Sequence, residues 1–273
     1  MRSDFKIHHT NNGISYFSIP LFDKTKLVKN YFTTRIGGIS KYPYHSLNLG
    51  FKTMDKKENV LQNFRLLSKE FSIPLECMVR CEQVHGDRIW VVTKEDAGKG
   101  IISDIDIQQA DALITNVRGI GLVTNYADCV PIFLLDPVQK AIALVHAGWR
   151  GTVLQISRKT LQAMAQNFNT DPKHCLAAIG PSIGPCCYEV DAPVIEEFEE
   201  SFQSTHLFVK RKEDEKFMLN LWKANQIILE KAGIMRENIA ISRICTACNP
   251  KIFFSYRQQK GVTGRMAAIM ALI

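Results

Sequence analysis

The segment from Asp128 to His146, DCVPIFLLDPVQKAIALVH, leaves few alternatives to a buried β-hairpin. Two apolar runs flank Asp136-Pro137-Val138-Gln139, where Asp in first place and Pro in second carry the chemistry of a tight turn. If Asp136 faces Gln139, the register that follows sets Cys129 directly opposite His146, with Cβ atoms about 5 Å apart. Pro131 weakens pairing at that end, and a slip of one residue would spoil this geometry.

Around this hairpin the periodicity predicts strands over 78–84, 88–93, 121–125, 175–179, 239–244 and 253–256. Helices are expected over 57–71, 152–167, 192–202 and 219–232, the last stopped by Gly233. Hairpin-like pairs dominate the middle of the chain and regular βαβ alternation is absent. The expected class is therefore α+β, mixed sheets with flanking helices. The polar stretches at 171–173 and 210–216 are short loops rather than linkers, so residues 1–273 are read as one domain.

Composition removes several function classes. No apolar run approaches the roughly 18 residues of a membrane helix, and the N-terminal MRSDFKIHHTNNG has no apolar signal region, so a cytoplasmic location is expected. Eight cysteines in such a setting read as thiols, ligands or nucleophiles rather than bridges. The net charge of +7 is scattered along the chain; it reads first as a solvated surface and second as a mild preference for anionic substrates. No basic-aromatic interleaving suggests nucleic acid.

A thiol facing an imidazole admits three readings: a metal pair, a Cys129 nucleophile with His146 as base, or a buried thiol beside a hydrogen-bonded ring. His146 runs into Ala-Gly-Trp-Arg-Gly-Thr152, and Thr152 with Gln155 reads as a capping box opening a helix. A helix N-terminus beside Arg150 favours an anion such as phosphate. Asp128 reads either as an acid/base or ligand-orienting group, or as a hydrogen bond at the strand start. A catalytic zinc needs a third ligand. His8, His9, His45, His174 and His206 lie in polar segments, whereas His85 sits at a tip between two strand patterns, and spacing alone does not choose it. Cys245 and Cys248, in Cys-Thr-Ala-Cys, read as plain thiols with Cys186 and Cys187; half of a structural zinc site is the other reading.

The motifs CEQVHGDRI, ADALITN, DCVPIFLLD, HAGWRGT, IGPSIGPCCYEV, LWKANQ, CTAC followed by FFSYR, and GRMAAI resemble the YfiH/YlmD-type, multicopper-oxidase-like "laccase domain" family, in the family's order from about Thr33 onward. The resemblance implies a layered α+β fold rather than a cupredoxin barrel. It also implies a zinc ion on His85, Cys129 and His146, and purine nucleoside phosphorylase activity. Adenosine, inosine or methylthioadenosine would react with phosphate to give base and ribose 1-phosphate, alongside adenosine deamination. Arg35 and Asn48, in loops that match family segments, and Arg65 become candidate substrate contacts beside Arg150. Copper and a polyphenol oxidase activity fit less well, because the chain lacks the His-x-His pairs of a multicopper cluster. A cysteine hydrolase or deamidase using Cys129 and His146, and a zinc-stabilised interaction module, are the other readings. Oligomeric state stays open.

Overall fold

Strands Val130–Asp136 and Ala141–Ala147 are buried along their whole length, as only strands covered on both faces can be. In the computed structural model, which describes residues 3–104, 106–107 and 109–273, they form the centre of a six-stranded sheet. Its order is Ile239–Ile241, Leu176–Ile179, Val130–Asp136, Ala141–Ala147, Ala112–Thr115, Ile89–Val91. A second six-stranded sheet runs Lys6–His9, Ser15–Ser18, Val28–Thr33, Met266–Leu272, Gly121–Tyr126, Met78–Arg80. A small third sheet pairs Lys216–Leu219 with Glu189–Asp191 and Val209–Arg211.

The side-chain period of two explains how these layers stack. Phe133, Leu135, Ile142 and Leu144 point from the first sheet into one core with Phe32, Leu122, Tyr126, Met266 and Met270 from the second. The alternate residues Ile132, Leu134, Ala143 and Val145 pack on the other face against helices Ile156–Phe168, Ala192–Ser201 and Leu221–Lys231. Val123, Ala267 and Ile269 do the same for the second sheet, against Val60, Phe64 and Leu67 of helix Lys57–Phe71. The order is helix, sheet, sheet, helix. Among the described residues neither sheet closes into a barrel, and the α+β expectation holds.

The hairpin forms, but in a different register. Asp136 pairs with Ala141 and Pro131 with His146, so the loop contains Pro137 to Lys140. The Asp136 carboxylate accepts from the Val138 and Gln139 N–H groups at 2.9 and 3.0 Å, and Lys140 takes the left-handed conformation at φ 53°. The Asp-Pro turn chemistry is sound; the loop is two residues longer than the expected one. A shift of two preserves the faces, so Cys129 ends diagonal to His146 rather than opposite it. The expected helix over 152–167 is two helices, Trp149–Val153 and Ile156–Phe168, broken at Gln155 with φ 55°. The capping box does not form: Thr152 Oγ1 donates to the Gly148 carbonyl instead. Residues 253–256 are not a strand, although Phe253 and Phe254 are wholly buried.

Candidate metal centre and its cavity

Asp111 is the residue around which the site is built, and it carries no exposed surface. It immediately precedes strand Ala112–Thr115, whose pairing with Ala141–Ala147 brings it beside His146. Its Oδ1 lies 2.7 Å from His146 Nδ1, and its backbone carbonyl accepts the His146 N–H at 2.7 Å. The same carboxylate accepts the N–H groups of Val84, His85 and Gly86 at 3.2, 3.0 and 2.7 Å. Burial pushes the Asp111 carboxyl up, but His146 and these N–H donors outweigh it and hold it below its ordinary value. One side chain thus fixes both the ring of His146 and the tip that carries His85.

With Nδ1 engaged by Asp111, His146 turns Nε2 toward the side of the ring where Cys129 lies, an arrangement typical of metal-binding histidines. His85 adopts φ 64° and Asp128, next to Cys129, φ 84°, the kind of backbone strain that persists only where surroundings impose it. The donor atoms of His85, Cys129 and His146 all lie within 4.8 Å of one another. One thiol and two imidazoles suit a borderline-soft divalent ion, with a fourth position left open.

Gly148 makes the convergence sterically feasible. A Cβ there would sit 3.1 Å from both Cys129 Sγ and His85 Cδ2. Gly148→Ala is expected to spread these two donors and weaken metal binding by about 10-fold or more, read by competition with a metal indicator. Unchanged affinity would mean the loop absorbs the methyl group.

Burial pushes the Cys129 thiol up, yet the His146 charge and hydrogen bonds from His146 and His85 outweigh it and bring the thiol down to about 6. For His146, burial acts downward, and Cys129 and Asp111 overcome it to raise the ring to about 9. Without metal, the pair therefore holds one proton between these values, as thiolate and imidazolium. The two shifts oppose each other in stability. The depressed thiol contributes above its unfolded value and loses that contribution as pH falls through about 6. The raised imidazole contributes below its unfolded value and loses it as pH rises through about 9. Stability is thus a poor reporter, and reactivity a good one. Metal-free protein is expected to alkylate at Cys129 with a midpoint near 6, against about 8.5 for an ordinary thiol. A midpoint at the ordinary value would remove the ion pair.

The three side chains open on a cavity of about 610 Å³, within the range of small-ligand sites. Phe51, Trp149, Tyr188 and Tyr256 give it flat apolar walls, and Arg80, Arg257 and Arg265 are also among its lining residues, each with its guanidinium donating to a backbone carbonyl. Asn125 Oδ1, on the same lining, is buried with no hydrogen-bond partner among the described residues.

The other anticipated residues fall in different places. Asp128 lines the cavity, but its carboxylate accepts from Thr246 Oγ1 at 2.6 Å, Ser255 Oγ at 3.0 Å and the Arg257 N–H at 2.7 Å. It ties three loop positions together. Arg150 is exposed and stacked over the ring of Trp149 at 4.3 Å, and it is not among the residues that line the cavity. Asn48 is buried behind the wall, where Oδ1 accepts from the Gly50 and Arg265 N–H groups at 3.0 and 2.9 Å. Arg35 lines a separate cavity of about 390 Å³ with His45 and Lys251. Arg65 is exposed on helix Lys57–Phe71 and bonds to Gln62. Asp111, Asn125, Tyr188, Arg257 and Arg265 are not singled out by the sequence, although Asp111, Tyr188, Arg257 and Arg265 lie inside or beside the quoted motifs.

A layered α+β protein with a His-Cys-His donor set at the base of an aromatic and cationic cavity defines a narrow class. The chain belongs to the family described as "Multi-copper polyphenol oxidoreductase laccase", whose model matches residues 29–273. It is 35% identical over 242 residues to purine nucleoside phosphorylase YlmD of Bacillus subtilis, covering 88% of this chain and 87% of that one. It is 38% identical over 240 residues to purine nucleoside phosphorylase YlmD of Geobacillus stearothermophilus, covering 87% and 88%. The crystal structure of the Bacillus licheniformis hypothetical protein YfiH superposes with a TM-score of 0.92 at 32% identity, covering 98% of this chain and 99% of that one.

Proposed function

We propose that the chain is a purine nucleoside phosphorylase that holds zinc on His85, Cys129 and His146, with adenosine deamination as a second activity. The observation that carries this reading is the juxtaposition of that donor set with aromatic side chains and three arginines lining one cavity. The relatives named above as purine nucleoside phosphorylases support it. The aromatic rings suit a purine base, and Arg80, Arg257 and Arg265 suit phosphate. Asp111 keeps the His146 tautomer fixed. A divalent ion bound there supplies Lewis-acid polarisation of an oxygen atom. No helix among the described residues is long and apolar enough to cross a membrane.

Incubation with adenosine and phosphate should release adenine and ribose 1-phosphate; the same incubation without phosphate should yield inosine if deamination occurs. Absence of adenine under saturating phosphate defeats the principal reading. One observation favours a second reading, a cysteine hydrolase: the Cys129 thiol brought down to about 6 beside His146. Activity that survives complete metal chelation, with a trapped thioester on Cys129, would select it.

A further inference from the structure

The loops after strands Leu176–Ile179 and Ile239–Ile241 bring four cysteines together away from the cavity chemistry. These two strands are parallel neighbours, with Ala178 facing Ala240, so both loops leave the sheet at the same end. They continue side by side: the Ser182 N–H bonds the Ile244 carbonyl at 3.2 Å and the Thr246 N–H bonds the Ser182 carbonyl at 3.0 Å. Cys186 and Cys187 on one loop thereby meet Cys245 and Cys248 on the other. All four sulfurs lie within 4.8 Å of one another, with Cys248 Sγ 3.4 Å from Cys186 Sγ and 3.3 Å from Cys187 Sγ. All are free thiols.

We propose that Cys186, Cys187, Cys245 and Cys248 form a second metal site, a closed tetrathiolate centre for zinc with a structural role. A tetrahedral centre with metal–sulfur bonds of about 2.3 Å spaces its sulfurs about 3.8 Å apart; the two Cys248 contacts at 3.4 and 3.3 Å lie within about half an ångström of that value, and all four sulfurs lie within 4.8 Å of one another. Packing does not account for the cluster. A buried thiol behaves as a small apolar group, but Cys186 and Cys248 are exposed. The surroundings are shaped for sulfur. The Gly184 N–H donates to Cys245 Sγ at 3.2 Å, and a Cβ at Gly184 would lie 3.1 Å from Cys245 Cβ and 2.7 Å from Trp222 Cη2. Only glycine lets that turn approach so closely. Four soft donors select zinc over harder cations, and they leave no open position for substrate. Metal binding sends the thiol protons to the buffer and transfers no electron.

The site would pin two loops that build one wall of the cavity. Ile183 and Tyr188 flank Cys186 and Cys187 and line that wall. Thr246, between Cys245 and Cys248, donates to the Asp128 carboxylate beside Cys129.

The test uses the full chain purified with reductant. Cys129→Ser, which empties the other centre, should retain about one equivalent of zinc. After cobalt exchange it should show the intense sulfur-to-cobalt absorption of a four-thiolate tetrahedral site. Adding Cys186→Ser and Cys248→Ser should remove both signals. Absence of metal from Cys129→Ser, or retention of that equivalent in the triple variant, overturns the proposal, as does recovery of any of the four cysteines as a disulfide after non-reducing peptide mapping. If the triple variant does not fold, the cobalt spectrum of Cys129→Ser decides alone. None of these readouts depends on nucleoside turnover.

Discussion

Cys129→Ser is expected to strip the metal from the His85–His146 centre and to lower kcat/KM for phosphorolysis on the order of a thousandfold or more. The argument is one of charge. Only the thiolate is a strong ligand, and the chain brings the Cys129 thiol down to about 6, so that the anion is present at neutral pH. A serine hydroxyl in the same position keeps its proton and offers only a neutral oxygen. Two imidazoles then face the ion with no compensating anion. Metal content per chain, steady-state adenine release and a circular dichroism spectrum separate this from unfolding. A folded variant with full metal and ordinary turnover would remove Cys129 from the chemistry.

Asp111→Asn is expected to weaken metal binding about 10- to 100-fold and to cost about 3 kcal/mol of stability. Oδ1 of Asp111 serves the His85 N–H and His146 Nδ1, while Oδ2 serves the Val84 and Gly86 N–H groups. An asparagine presents one oxygen and one NH2 group. Whichever way the amide is turned, two donors meet a donor. The loss therefore falls either on the His85 tip or on the His146 ring, and both carry donors of the proposed metal centre. Metal titration and urea denaturation measure the two effects separately. Wild-type affinity and midpoint together would show that the carboxylate is not the tie described.

The central hairpin was legible because its two strands are covered on both faces and so read as continuous apolar runs. The helices over 57–71 and 219–232 were legible from amphipathic spacing, and the observed helices are Lys57–Phe71 and Leu221–Lys231. What the local pattern could not supply was the length of the hairpin loop. Asp136-Pro137 fits both a two-residue and a four-residue connection, and only the left-handed Lys140 distinguishes them. Strand Met266–Leu272 escaped because MAAIMAL has no alternation and is rich in helix-favouring residues; tertiary pairing on both edges overrides that preference. Short strands such as Lys6–His9 and Val209–Arg211 carry too few residues for a period to register.

In the site, Cys129 and His146 were found for a reason that was sound in chemistry and off in register. His85 rested on resemblance, and the structure supplies what spacing lacked, namely Asp111 bonded to the His85 N–H and the His146 ring at once. Asp111 itself was hidden because a carboxylate before a strand resembles any turn residue; its role exists only once three N–H groups from 84–86 are folded onto it. Arg265, Arg257 and Tyr188 reach the cavity from loops whose paths depend on long-range packing.

Strand Met266–Leu272 lies between Val28–Thr33 and Gly121–Tyr126, and this arrangement sets a timetable for biosynthesis. Asn125 leaves the ribosome 141 residues before Met266, the residue whose carbonyl it binds. At translation speeds of about 5–20 residues per second, the two flanking strands wait on the order of ten seconds for the one that joins them. During that interval each presents an unpaired edge, the form of β-structure most prone to adhere to other chains. The nascent protein thus has its greatest need of a chaperone during that interval, when the helices up to Leu221–Lys231 are being completed and the seam that closes the second sheet does not yet exist.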